Sequence, residues 1–164
     1  MTPKTLAMII AVCGMAAGSA APLNPQAMNP AQCKFAKAEN GVLAFNVPEG
    51  KKSNSEQTRV TIPVDLAKLG ASGKKLVISG EVKLDGVTKP AQPWNGVKVM
   101  LIYSRNGKMF YPSLLTGRNF GTEDWHTFQK AVAIPADVKN AKLTLGLQDS
   151  TGTVIFRNLD ISVE

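Results

Sequence analysis

The sequence is poor in the residues on which most catalysis and covalent bracing depend. It holds two cysteines, one histidine, two tryptophans and two tyrosines, and aromatics make up only 6% of it. Cys13 lies in the N-terminal stretch, so beyond that stretch Cys33 has no partner with which to form an internal disulfide. With His126 the only histidine, a two-histidine zinc site is excluded, and neither His-Glu-x-x-His nor Cys-x-x-Cys spacing occurs. A Ser-His-Asp or Cys-His site would rest on His126 alone, and a strand histidine is more often structural than catalytic. No segment carries an apolar stripe at helical spacing over three turns, so nothing is available to cross over a parallel sheet. No apolar run reaches the roughly 20 residues of a membrane span. Basic runs with interleaved aromatics are missing too. The formal charge is +7, but the lysines are scattered, with Lys51-Lys52 and Lys74-Lys75 the only pairs. Nucleic acid is therefore not an expected partner, while the surplus favours anionic ones such as acidic glycans or envelope phosphates.

What is present begins with export chemistry. Lys4 supplies a positive start, residues 6–12 form a short apolar run, and small residues dominate 16–21. Gly18 and Ala20 satisfy the small-x-small rule for cleavage after Ala20. Residues 1–20 thus read as a signal peptide and the protein as secreted or periplasmic. Cys13 offers the alternative of a lipoprotein, which Val12 disfavours because a small residue is wanted there. Residues 21–32, with three prolines and no periodicity, read as a flexible leader, which makes 33–164 the folded domain.

From Cys33 onward short β-type runs alternate with turn signals. They fall at 42–47, 58–64, 75–84, 97–104, 127–134, 142–148 and 153–163. In the third, Leu76, Ile78, Val82 and Leu84 share one face; Leu143, Leu145 and Leu147 alternate in the same way. Asn106-Gly107 signals a type I′ hairpin. In the last run the apolar phase changes between Phe156 and Leu159, which predicts a bulge near Arg157-Asn158. Only residues 65–69 look helical, and Gly70 stops them after one turn. The expected fold is all-β, an antiparallel sandwich of seven or eight strands.

The second half carries a series of motifs in order: Trp94-Asn95-Gly96-Val97, Gly121-Thr122-Glu123-Asp124-Trp125, Ile134-Pro135, Leu143-Thr144-Leu145-Gly146-Leu147-Gln148, and Gly152-Thr153-Val154-Ile155-Phe156-Arg157-Asn158-Leu159. This order resembles the jelly-roll, galactose-binding-like carbohydrate-binding modules attached to secreted glycoside hydrolases. In those modules a GT-x-D-W turn leads into a strand, IP ends it, and GTV-W-F-D-N-V closes the domain. Ile155 and Arg157 depart from that last motif, standing where tryptophan and aspartate are common. The resemblance also implies a structural calcium, with Glu39 and Asp160 as candidate ligands. Arg157, a cation near the end of the same strand, works against it, as does the small number of oxygen ligands.

Sugar binding on a β-sandwich needs flat apolar platforms flanked by groups that hydrogen-bond hydroxyls. Trp94, after Pro93 in a loop, and Tyr111, before Pro112, are the candidate platforms. Glu81, Lys83 and Gln148 lie opposite apolar neighbours in their strands and are placed to line a concave face. Arg105, beside the hairpin signal, suits a carboxylate or sulfate. Trp125 opens a strand and is expected to cap the core. The resulting expectation is a secreted, non-catalytic module that binds a polysaccharide or other glycan, beside a separate glycoside hydrolase or an envelope protein. The rival is a structural or protein-interaction sandwich at the cell envelope that binds no sugar. A third reading is a small glycan-active hydrolase or lyase; adjacent Glu123 and Asp124 make a poor carboxylate pair for it.

Overall fold

The computed structural model describes residues 21–22, 33–52 and 56–164. The signal peptide over 1–20, and the leader apart from Ala21 and Pro22, lie outside the described residues. Among the described residues the strands are β1 (Ala21–Pro22), β2 (Ala36–Glu39), β3 (Val42–Val47), β4 (Arg59–Asp65), β5 (Lys75–Val87), β6 (Gly96–Arg105), β7 (Lys108–Phe110), β8 (Gly121–Ala133), β9 (Asn140–Gln148) and β10 (Gly152–Val163). They form two antiparallel sheets, ordered β2-β3-β10-β5-β8 with β1 also on β10, and β4-β9-β6-β7. The protein is a β-sandwich.

Period-2 patterning builds the core. Leu76, Ile78, Val82 and Leu84 of β5 are buried, as are Leu143, Leu145 and Leu147 of β9. Gly80 sits in the first row, where a Cβ would lie 2.9 Å from Leu159 and 3.0 Å from the Phe128 ring. Those two side chains fill the space instead. Phe45 and Phe156 meet edge to face across β3 and β10 at 6.2 Å, a favoured ring geometry. The bulge expected in β10 is present: its register against β5 shifts between Arg157 and Asp160, and Asn158 takes a φ of 51°. The β6–β7 hairpin turns on Asn106 and Gly107, at φ 50° and 72°, as a type I′ turn requires.

Residues 65–69 make a single turn that goes no further, closed when Lys68 N–H donates to Asp65 Oδ1 (2.9 Å). Other local readings need correction. β8 begins at Gly121, six residues earlier than the β-branched pattern suggested. β2, short and at a sheet edge, carries no sequence signal, β7 is only the short return strand of the Asn106-Gly107 hairpin, and Ala21–Pro22 of the leader adds a two-residue strand. Trp125 does not cap the core. A register shift sets Asp124 and Trp125 opposite Lys83, and the indole lies under the Arg157 guanidinium at 3.9 Å.

Cys33 is buried in the core, and its Sγ donates to the Gln57 carbonyl (2.8 Å). Burial pushes its thiol pKa up. We expect it to ignore Ellman's reagent in the folded protein and to react stoichiometrically in denaturant. Reaction within minutes under native conditions would contradict this burial.

Candidate cleft on the four-stranded sheet

The outer face of the β4-β9-β6-β7 sheet forms the floor of a cleft. Strand register arranges that floor in rows: Arg59–Gly146–Lys98, then Thr61–Thr144–Met100. Alternation in β4, β9 and β6 turns these residues away from the core, while Val60, Leu145 and Val99 face in. One wall is the chain after β7, which runs back along β6. Leu101 N–H donates to Pro112 O (3.1 Å), Leu114 N–H to Val99 O (2.7 Å) and Val97 N–H to Asn119 O (2.8 Å). His126 braces this wall from behind, with Nε2 donating to the Thr116 carbonyl (3.3 Å). The sole histidine is thus a strut.

The far end is closed by the Trp94 loop. Asn119 Nδ2 donates to the carbonyls of Pro93 (3.0 Å) and Asn95 (2.5 Å), and the Lys98 ammonium donates to the Trp94 carbonyl. Trp94 itself is 67% exposed and Tyr111 57%, both on the cleft. Such large rings gain nothing from facing water. Met100 pairs with Ser113, so Tyr111 falls beside Ile102, four residues along β6 from Lys98. That separation is on the order of 13 Å at strand rise. The cleft has a volume of about 800 Å³.

Arg59 and Lys98 line the cleft, Arg59 Nη1 donates to Gln148 Oε1 (3.4 Å), and no described lining residue is acidic. Lys98 is only 8% exposed. Burial, with Arg59 nearby adding repulsion, holds its pKa below the usual lysine value.

Of the residues expected to bind ligand, Trp94, Tyr111 and Gln148 come together here. Glu81 and Arg105 do not. Glu81 is on β5 of the other sheet, where its carboxylate accepts from Arg157 Nε (2.7 Å) and Asn158 Nδ2 (2.6 Å). Lys83 there pairs with Asp124 (2.9 Å). Arg105 Nε donates to Asp137 Oδ2 (3.0 Å), tying the hairpin to the loop before β9. Arg59, Lys98, Met100 and Asn119 were missed. The one available signal was Lys98 itself, a charge inside the run Gly96-Val97-Lys98-Val99-Met100-Leu101 just after Trp94.

Of the two candidate calcium ligands, Glu39 and Asp160, Glu39 is ion-paired with Lys37 (2.7 Å), and among the described residues no three His, Cys, Asp or Glu side chains gather.

The Glu81 network carries a pH prediction. Hydrogen bonds from Arg157 and then Asn158 hold the Glu81 carboxyl below its ordinary value of 4.5. The stabilisation is therefore complete above that value and is lost as pH falls through the depressed one. In a Trp94→Phe background, Trp125 fluorescence should stay constant down to about pH 4.5 and shift below it. In Glu81→Gln the acid step should shrink to the part due to Asp124, which accepts from Trp125 N–H; an unchanged step would disconnect the indole from Glu81.

Comparison with solved structures puts a class to this architecture. A CBM4 module superposes with a TM-score of 0.54 at 16% identity, over 79% of this chain and 75% of its own. The C-terminal family 22 carbohydrate-binding module of Clostridium thermocellum Xyn10B superposes at 0.53 and 13% identity, over 77% and 76%. The chain has the fold of a carbohydrate-binding module. A xylan-binding domain from CBM22 matches at 0.52 and 12% identity over 77% of each chain. At these identities the likeness is one of fold. No family model and no curated protein matches the sequence. Among the described residues no helix is long and apolar enough to cross a membrane.

Proposed function

We propose that this protein is a secreted, non-catalytic module that binds a polysaccharide chain in the cleft between Trp94 and Tyr111. The observation that carries the reading is the pair of exposed rings on a groove-shaped sheet face. A pyranose presents an apolar CH face and a rim of hydroxyls. Rings serve the first, and Gln148, Ser113 and Asn119 supply donors and acceptors for the second. Glycoside hydrolysis needs two carboxylates, and the described lining offers none, so a catalytic reading gains no support there. The fold neighbours, modules of glycoside hydrolases among them, suit a role beside a separate hydrolase.

The test is binding of the protein to insoluble polysaccharides and a glycan array. Trp94→Ala and Tyr111→Ala should each weaken binding roughly tenfold or more, the scale of a central aromatic anchor. Silence across the panel, or binding indifferent to both substitutions, overturns the reading. Met109 and Phe110, exposed on β7, favour a protein-docking module as the second reading. A single partner recovered in a pull-down and lost in Met109→Ser/Phe110→Ser, with no glycan bound, would select it.

A further inference from the structure

We propose that the cleft prefers sugar chains bearing an anionic substituent, a uronate carboxylate or a sulfate ester, and that Lys98 and Arg59 recognise it. The inference rests on the polysaccharide-binding reading above and names the substrate class of the same cleft. Three observations support it.

The first is placement. Arg59 and Lys98 flank Gly146 in one row of the floor, about 10 Å apart at the spacing of β-strands. Both side chains line the cleft, so a cation stands on each side of β9. A carboxylate or sulfate held there lies at the foot of the Trp94 platform, because Lys98 also holds that residue's carbonyl.

The second is the company Lys98 keeps. Lysines this buried are almost always paired with an acid. Here the described partner of the ammonium is a neutral carbonyl, and no described residue of the lining carries negative charge. The lowered pKa of Lys98 reflects the same situation: burial first, then Arg59. An anion entering the cleft relieves both, whereas a neutral chain relieves neither. The third is dielectric. A charged pair formed on a half-enclosed floor is screened less by salt than one on the open surface.

A purely structural Lys98, present only to fix the Trp94 loop, makes a different prediction, since its loss should weaken neutral and charged chains alike. The experiment therefore compares matched ligands on the full protein. Polygalacturonate oligomers are set against the same oligomers methyl-esterified, and dextran sulfate against dextran, by calorimetry at low and moderate salt. The acidic member of at least one pair should bind roughly tenfold tighter or more, the scale of a charge-assisted hydrogen bond in place of a neutral one. Whichever pair shows the preference identifies carboxylate or sulfate as the anion.

Lys98→Met, which also releases the Trp94 carbonyl, should weaken the acidic member roughly tenfold more than the neutral one, on the same scale, and so abolish the preference. Lys74→Gln/Lys75→Gln, which removes two charges at the start of β5, should leave the preference intact. If Lys98→Met fails to fold by circular dichroism, Arg59→Gln stands in and must reduce the preference at least threefold. Equal binding of acidic and neutral chains, both lost in Trp94→Ala, overturns this inference and leaves sugar binding standing. A preference lost equally in the Lys74/Lys75 variant overturns it in favour of diffuse surface charge. Binding of no chain at all overturns both readings together.

Discussion

Phe156→Ala should cost about 3–5 kcal/mol, the range for truncating a fully buried phenylalanine. The side chain is completely buried, lies between Leu43 and Val82 in the six-stranded sheet, and meets the Phe45 ring edge to face. Neighbouring strands hold the surrounding backbone in register, so the vacated space cannot collapse far. Small domains have a total of about 5–15 kcal/mol to lose. At about 2–4 °C per kcal/mol for a chain near this size, the thermal midpoint should fall by roughly 10 °C or more. Phe110→Ala is the contrast: that ring is 39% exposed, stacked on Tyr103 at the sheet edge, and should cost about 1 kcal/mol. Equal losses in the two variants would mean that the sheets do not pack through Phe156.

Gly146→Ala should be as damaging, for a different reason. Gly146 holds a φ of 138°, where L side chains rarely sit. A Cβ there would overlap the Thr58 carbonyl oxygen and come within 2.9 Å of Arg59 Cα. Both are backbone atoms, at the start of β4 and just before it, and have no rotamer by which to move aside. Backbone strain of about 1–3 kcal/mol therefore adds to overpacking of about 1–3 kcal/mol. β4 must shift away from β9, and Arg59 moves with it. The two variants should thus separate in binding. Measured well below both melting transitions, Phe156→Ala keeps its affinity for sugar, while Gly146→Ala loses it along with stability. Equal affinities would remove Gly146 from any part in shaping the cleft floor.

The fold was legible where one physical rule acted alone. Alternation at Leu76, Ile78, Val82 and Leu84 marked a core-facing strand, the phase change after Phe156 marked the bulge, and Asn106-Gly107 marked the hairpin. The cleft was legible in part. Large rings next to prolines at Trp94 and Tyr111 have no reason to be exposed unless something covers them, and that argument needs no topology. Period-2 patterning separates inward from outward residues, but a sandwich has two outer faces and the pattern is identical on both. Glu81 and Gln148 therefore looked alike from sequence, and only strand order puts one on the Arg157 network and the other in the cleft. Lys98 escaped notice because a lysine in an alternating strand normally faces open water. Here its ammonium turns back to the Trp94 carbonyl, inside a cleft that a segment more than a dozen positions further along, around Ser113 and Asn119, helps to line.

β10 lies between β3 and β5, and its register ties Gly152 to Val47 and Val163 to Leu76. The central strand of the larger sheet is thus the last of the described strands in chain order. A ribosome-bound chain lacking those 12 residues leaves facing edges of β3 and β5 with unfilled hydrogen-bonding groups. No early hairpin can close the sheet in its place. Pairings this distant in sequence put folding in the range of milliseconds to seconds, so each new molecule passes that interval with sticky edges open to its neighbours. Delivery of β10, rather than emergence of any earlier segment, sets the clock for folding, and edge-to-edge association before it arrives is the hazard this topology must survive.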